Sequence, residues 1–198
     1  MDVEGAGVAA FAGPIELLAA TTMASGGEGG SLILSGPISG AGALEKAGGG
    51  TLTLSGTNSF TGATTVTSGG LNLAGTTLSA VTVMGGTLSG SGVISNNVTI
   101  NSGTNAPGMP SIYGNYQLAS TGTLELKING TTPGAEYDRL VVLGGDANAV
   151  TLAGQLKIVA RAALPTNTTF MVIQKDGTNP VSGSFAGSPQ NATFFQAG

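Results

Sequence analysis

The chain has 198 residues, enough for one sizeable domain or one run of stacked repeats, and only 8% of them are charged, with 6 Lys and Arg against 10 Asp and Glu for a formal net charge of −4. So sparse and mildly acidic a surface lacks the clustered cations that nucleic-acid binding needs, and an anionic membrane is disfavoured for the same reason. With no histidine and no cysteine, Ser-His and Cys-His nucleophiles, disulfides and the usual zinc sites are excluded.

The 35 glycines do not signal disorder, which pairs low hydrophobicity with high charge; here hydrophobic residues make up 40% and the mean hydropathy is +0.29. They do not fall at every third position, so a collagen helix is excluded. Apolar residues alternate with Thr and Ser, which is the strand period, and the glycines sit where the backbone has to turn.

In chain order, the N-terminus opens Met1-Asp2-Val3-Glu4 and the first basic residue is Lys46, so no secretory leader with a positive start is read. The apolar stretch 8–20 is broken by Gly13, Pro14 and Glu16 and is too short to span a bilayer. This predicts a fragment of a longer exported chain, with an intact cytoplasmic protein as the alternative. Strands are expected at Val8–Phe11, Ile15–Leu18, Ser31–Ser35, Ala43–Lys46, Gly50–Ser55, Ala63–Thr67, Gly70–Ala74, Ser79–Met84, Gly86–Ser89, Gly92–Ser95 and Asn97–Ile100. The segment Glu16–Met23 has some helical propensity but no convincing caps, so no helix is predicted.

Four stretches repeat one another: Leu32-Ile33-Leu34-Ser35, Leu52-Thr53-Leu54-Ser55, Leu71-Asn72-Leu73-Ala74 and Thr87-Leu88-Ser89. Their leading leucines, Leu32, Leu52, Leu71 and Leu88, recur at steps of 20, 19 and 17 residues. A short alternating strand at that interval marks a solenoid, with Leu32 stacked over Leu52 over Leu71 in parallel register. Extending the period along the chain predicts roughly ten coils and a rod about 50 Å long. The expected division is coils over residues 1–100 and, over residues 101–198, continuing coils merging into a cap-like region. Tyr113, Tyr116, Tyr137, Phe170, Phe185, Phe194 and Phe195 gather there, together with longer strands at Thr123–Asn129, Tyr137–Leu143, Gly154–Ala160 and Thr169–Gln174. A separate β-sandwich after residue 105 is the rival reading of that half.

The run Gly48-Gly49-Gly50-Thr51-Leu52-Thr53-Leu54-Ser55-Gly56-Thr57-Asn58-Ser59-Phe60-Thr61-Gly62-Ala63-Thr64-Thr65-Val66 resembles the passenger-associated transport repeat of bacterial autotransporters. The likeness covers residues 31–75, with Ser59-Phe60 standing where Thr-Tyr is usual. Residues 101–187 resemble the segment that often follows such repeats, through Ala106-Pro107-Gly108, Gly122-Thr123-Leu124, Pro133–Asp138 and Val181–Phe185, with the loop at Met109-Pro110-Ser111 shortened. The resemblance implies an all-β, right-handed parallel β-helix, exported and displayed at the bacterial surface.

Chemistry is thin. The tightest polar cluster is Glu136-Tyr137-Asp138-Arg139; on a strand, Tyr137 and Arg139 would face one way and Glu136 and Asp138 the other. The bland account is preferred, in which Asp138 caps the turn after Pro133-Gly134 and Arg139 pairs with a neighbouring acid. Gly144-Gly145-Asp146 lacks the third glycine of a calcium nonapeptide, and Gly90-Ser91-Gly92 is no phosphate loop. Sequons at Asn97, Asn129, Asn167 and Asn191, and outward Thr and Asn ladders, follow from the composition. No catalytic, cofactor-binding or metal-binding residue and no cofactor is therefore assigned. The function expected is a non-catalytic structural or adhesive stalk, not an enzyme. Its expected partners are host-cell, matrix or other cell surfaces and end-to-end copies of itself, without nucleic acid and without membrane insertion by this segment. The alternatives are a polysaccharide-binding or polysaccharide-cleaving β-helix, which needs paired or clustered acids, and a self-assembling extracellular filament subunit.

Overall fold

The computed structural model describes residues 7–24, 29–108, 110–160 and 168–187. Its strands form three ladders, and every strand pair in them is parallel. The first ladder stacks Val8–Phe11, Ser31–Leu34, Thr51–Leu54, Gly70–Leu73 and Thr87–Gly90, then the later parts of Val98–Pro107 and Tyr116–Ile128, and ends on Gln155–Ala160. The third ladder stacks Thr21–Ala24, Leu44–Ala47, Thr64–Val66 and Val81–Val83, then the early parts of the same two long strands, then Val150–Leu152 and Ser182–Gly183. Between them runs a ladder of very short strands: Thr57–Asn58, Thr76–Thr77, Val93–Ile94, Ser111–Ile112, Leu140–Val142 and Ile173–Lys175. Ile15–Leu17 and Ile38–Gly40 pair on the same side in the first two coils.

Each turn of the chain thus lays one strand on each ladder. Leu32, Leu52, Leu71 and Leu88 stack directly on one another, in the register their spacing predicts. Strand alternation puts them inward: Leu32, Leu52, Leu71 and Leu88 are at most 4% exposed, whereas Ile33, Thr53, Asn72 and Ser89 are half-buried on the outer face. Burying each such leucine stabilises the fold by about 1.5–3 kcal/mol before the entropy of ordering the chain is charged against it. A second inward column runs Met23, Lys46, Val66, Val83, Ile100, Leu118 and Leu152.

One corner shows why glycine recurs. A Cβ on Gly56 would lie 2.3 Å from the Gly36 carbonyl oxygen, and one on Gly75 would lie 2.1 Å from that of Gly56. Successive coils pass this corner backbone to backbone, and no side chain fits between them.

The coil count is lower than the period suggested. Val8, Ser31, Thr51, Gly70, Thr87, Thr104 and Thr123 are stacked partners and mark six compact turns, about 30 Å at the inter-strand spacing, rather than roughly ten. The next step, from Thr123 to Gln155, takes far more chain. It holds an excursion over residues 129–139, where Tyr137 bridges back to Ile128 and Pro133. The extrapolation failed because a coil's length is free to grow wherever a loop bulges from a corner, while its stacked strands stay short. Expected strand bounds shift for the same reason: Leu140–Val142 and Ile173–Lys175 replace the longer segments read there. Strands Val98–Pro107 and Tyr116–Ile128 each run through a corner and serve two ladders, with a register shift between Ile100 and Ser102.

Pairing stays parallel beyond residue 105, which is not the antiparallel pattern of the sandwich alternative. In this half Tyr116 and Phe185 are buried, and Tyr137 meets Phe170 edge-on at 5.2 Å. Tyr113 is exposed, and Phe194 and Phe195 lie outside the described residues.

Candidate functional site

Within residues 44–79 the turns are closed by side chains that point inward. Asn58, 1% exposed, accepts a hydrogen bond on Oδ1 from the Ile38 amide at 3.2 Å and donates from Nδ2 to the carbonyls of Gly56 at 3.1 Å and Thr76 at 3.0 Å. One amide thus serves three successive coils. Below it, Ser79 Oγ donates to the Gly62 carbonyl at 2.7 Å and lies 2.8 Å from Thr64 Oγ1. Phe60 is wholly buried.

Lys46 is the least expected member of this set. It occupies the inward column between Met23 and Val66 and is 0% exposed. Its ammonium donates to the carbonyls of Ala47 at 2.6 Å, Gly48 at 2.9 Å and Ser68 at 3.2 Å. Burial draws its pKa below the ordinary lysine value. Lys175, 2% exposed, repeats the device at the far end, donating to the carbonyls of Asp176 at 2.8 Å and Gly145 at 3.4 Å.

On the outer face Glu45 sits beside a shallow groove of about 280 Å³ lined by Ala20, Thr21, Thr22, Ala43, Leu44 and Thr65. Its carboxylate accepts from the hydroxyls of Thr22 at 3.0 Å and Thr67 at 3.3 Å. From Glu45 the outward column continues through Thr65, Thr82, Thr99 and Gln117, one hydroxyl or amide per coil. Asn97 and Asn115 form a second polar line at a corner, Asn97 accepting from the Asn115 amide and Asn115 from that of Ala149, both at 2.8 Å. Of the sequons, Asn167 and Asn191 lie outside the described residues.

The acidic cluster is built differently from the expectation. Glu136, not Asp138, closes its turn, taking the amides of Thr131 at 3.0 Å and Thr132 at 2.8 Å. Hydrogen bonding from the Thr132 side chain first, then from the Thr132 and Thr131 amides, holds its carboxyl below the usual range. Asp138 instead accepts from the Lys127 amide at 3.0 Å. Among the described residues Arg139 makes no ion pair, its buried Nε has no hydrogen-bond partner, and Lys157–Glu125 at 2.9 Å is the one ion pair. The correction has a simple cause: residues 129–138 form a turn rather than a strand, so period-two facing does not apply.

Asp146 belongs to a clasp that the spacing did not reveal. Its carboxylate accepts from the Asn179 amide at 2.9 Å and the Thr178 hydroxyl at 2.9 Å, and also from the Thr178 amide. In return Asp176, one coil on, accepts from the amides of Gly144 at 3.0 Å and Gly145 at 2.8 Å. Both carboxyls are held below their ordinary pKa, Asp146 chiefly by the Asn179 amide and Asp176 chiefly by that of Gly144. Among the described residues no group of three or more His, Cys, Asp or Glu is placed to hold a metal ion, and no helix is long and apolar enough to cross a membrane.

Lys46, Asn58 and Phe60 lie on a segment that matches a known family. Residues 44–73 match the passenger-associated-transport-repeat family. No match to a curated protein was found. The transport repeat begins on the strand that carries Lys46, includes Asn58 and Phe60, and ends on the strand of Leu71 and Leu73. In the fold it is one full turn and the start of the next, stacked in register with both neighbours. Sequence reasoning found its leucine lines and its glycines but passed over Lys46, Asn58 and Lys175. A lysine at an inward position of an alternating strand was the available signal, since Lys46 falls two residues after the apolar Leu44.

Proposed function

We propose that this chain is part of an exported bacterial passenger of the autotransporter type and serves as a non-catalytic β-solenoid stalk that carries adhesive segments away from the cell. The observation that supports this reading best is the transport repeat at residues 44–73 lying within a continuous parallel stack. A column in which each coil rests on the last transmits load along its axis and projects a surface to a distance set by the number of coils. Sparse charge and outward Thr and Asn ladders suit an extracellular face that meets cell or matrix surfaces through polar, uncharged contacts. Among the described residues that line the groove Glu45 is the one carboxylate, where cleavage of polysaccharide calls for a pair, so that alternative has less support.

The test is display. The chain is joined to a secretion leader and a membrane β-barrel anchor, expressed in bacteria, and probed with an antibody to an N-terminal epitope on intact cells. The reading predicts surface labelling, protease resistance of the stalk, and a gain in adherence to host cells or to neighbouring bacteria. Surface labelling without any gain in adherence contradicts the adhesive role, and release of oligosaccharide from added polysaccharide contradicts the non-catalytic one.

A further inference from the structure

We propose that the inward-turned carbonyls of Ala47, Gly48 and Ser68 constitute a binding site for one bare monovalent cation of the ammonium class, which Lys46 fills with its own Nζ and which a free alkylammonium ion takes when that side chain is removed.

The geometry is that of a ligand site. An ammonium has three donors and no acceptor, and here three carbonyl oxygens meet it at 2.6, 2.9 and 3.2 Å. The charge is fully buried in a column whose neighbours are Met23 and Val66, where an uncompensated ion is very costly. Among the described residues no acid pairs with it. The adjacent Glu45 points to the outer face, engaged by Thr22 and Thr67, and the contacts of the ammonium among the described residues are backbone carbonyls.

The turns are shaped around it. Gly48 and Gly69 take positive φ, 75° and 65°, and a Cβ on Gly69 would lie 2.8 Å from Nζ and 2.3 Å from the Gly48 oxygen. The carbonyls belong to two successive coils, so the ammonium joins the turn after Lys46 to the one stacked on it. Carbonyl oxygen without carboxylate suits a weakly hydrated monovalent ion; calcium and magnesium call for more oxygens and for negative charge. Lys175 differs: it donates to only two carbonyls, those of Asp176 and Gly145, and the carboxylates of Asp146 and Asp176 are close enough to act on its charge.

The full chain carrying Lys46→Ala is melted in chloride salts of matched ionic strength, with n-propylammonium, which restores the deleted atoms, compared with tetramethylammonium, which cannot donate. The variant should melt below wild type and recover about 3–5 °C at ten times the dissociation constant of propylammonium, with no recovery in tetramethylammonium and no difference between the salts for wild type. Should Lys46→Ala not fold, propylammonium should restore the β spectrum. Equal melting in both salts, or failure of propylammonium to restore an unfolded variant, overturns the site. Lys46→Met fills the same volume without charge; a melting temperature equal to wild type would show that the carbonyls need no cation and would also overturn it.

Discussion

At the scale of the residue, this fold depends on a few positions where a side chain does what the backbone cannot. Asn58 ties three coils through one amide, so Asn58→Ala takes from the buried Ile38 amide and Thr76 carbonyl the partner that Asn58 supplies, while the Gly56 carbonyl keeps the Thr76 amide. A loss of about 1–3 kcal/mol is expected, read as a lowered denaturation midpoint with an unchanged slope. Leu52 tests packing rather than polarity. Stacked between Leu32 and Leu71 and 0% exposed, it should cost about 2–5 kcal/mol when cut to Ala, because coils tied by continuous ladders cannot collapse onto the hole. Gly62→Ala examines close approach: its Cβ would sit 2.3 Å from the Gly42 oxygen. It should cost more than Ala63→Gly, although a solvent-exposed glycine is ordinarily improved by alanine.

At the scale of the element, the clasp between Asp146 and Asp176 holds the last described coil to the one before it. Both carboxyls titrate below their unfolded value because amides, and for Asp146 a hydroxyl, stabilise the charged form. Their contribution is therefore complete above the unfolded value near 3.8 and is lost as pH falls through the lowered folded values. The protection of Ile173–Lys175 against hydrogen exchange, taken relative to the intrinsic rate at each pH, should fall as the solution is acidified below about pH 4, while Leu52 and Leu71 stay protected. In Asp146→Asn and Asp176→Asn that acid sensitivity should shrink and the pH-independent protection should fall. How much of this was legible differs by element. The ladder around Leu32, Leu52, Leu71 and Leu88 was readable to the register, because alternation and a repeat spacing are local properties. The short ladder through Asn58, Thr77 and Ile94 was mostly not, since a two-residue strand carries no period. The clasp was hidden for another reason: Asp146 and Asp176 are 30 residues apart, and only a coil of unusual length brings them together.

At the scale of the whole molecule, stability should behave as a sum of coils and coil-to-coil interfaces. Removing residues 70–86 joins Gly69 to Thr87, which lies one coil above Gly70 in the same column. That deletion of one whole turn should fold, with a lower melting temperature and unchanged β content by circular dichroism. Removing residues 70–78, half a turn, should not fold, because every later strand would land on the wrong ladder. The same logic explains why the coil number was misjudged from the period while the stacking was not: a corner loop changes the length of a turn without changing what lies above it.

The parallel stack in this register is the central claim, and cross-linking tests it most directly. The chain has no cysteine of its own. Thr82 and Thr99 are neighbours one coil apart on the outer face, while Thr82 and Gln117 are two coils apart in the same column. Adjacent strands stand about 4.8 Å apart, within reach of a disulfide, and alternate ones about 9.6 Å apart, beyond it. Under mild oxidation Thr82→Cys with Thr99→Cys should close an intramolecular disulfide in nearly every molecule, and Thr82→Cys with Gln117→Cys should remain free. Ready closure of the second pair, or failure of the first in a folded monomer, would contradict the stacking.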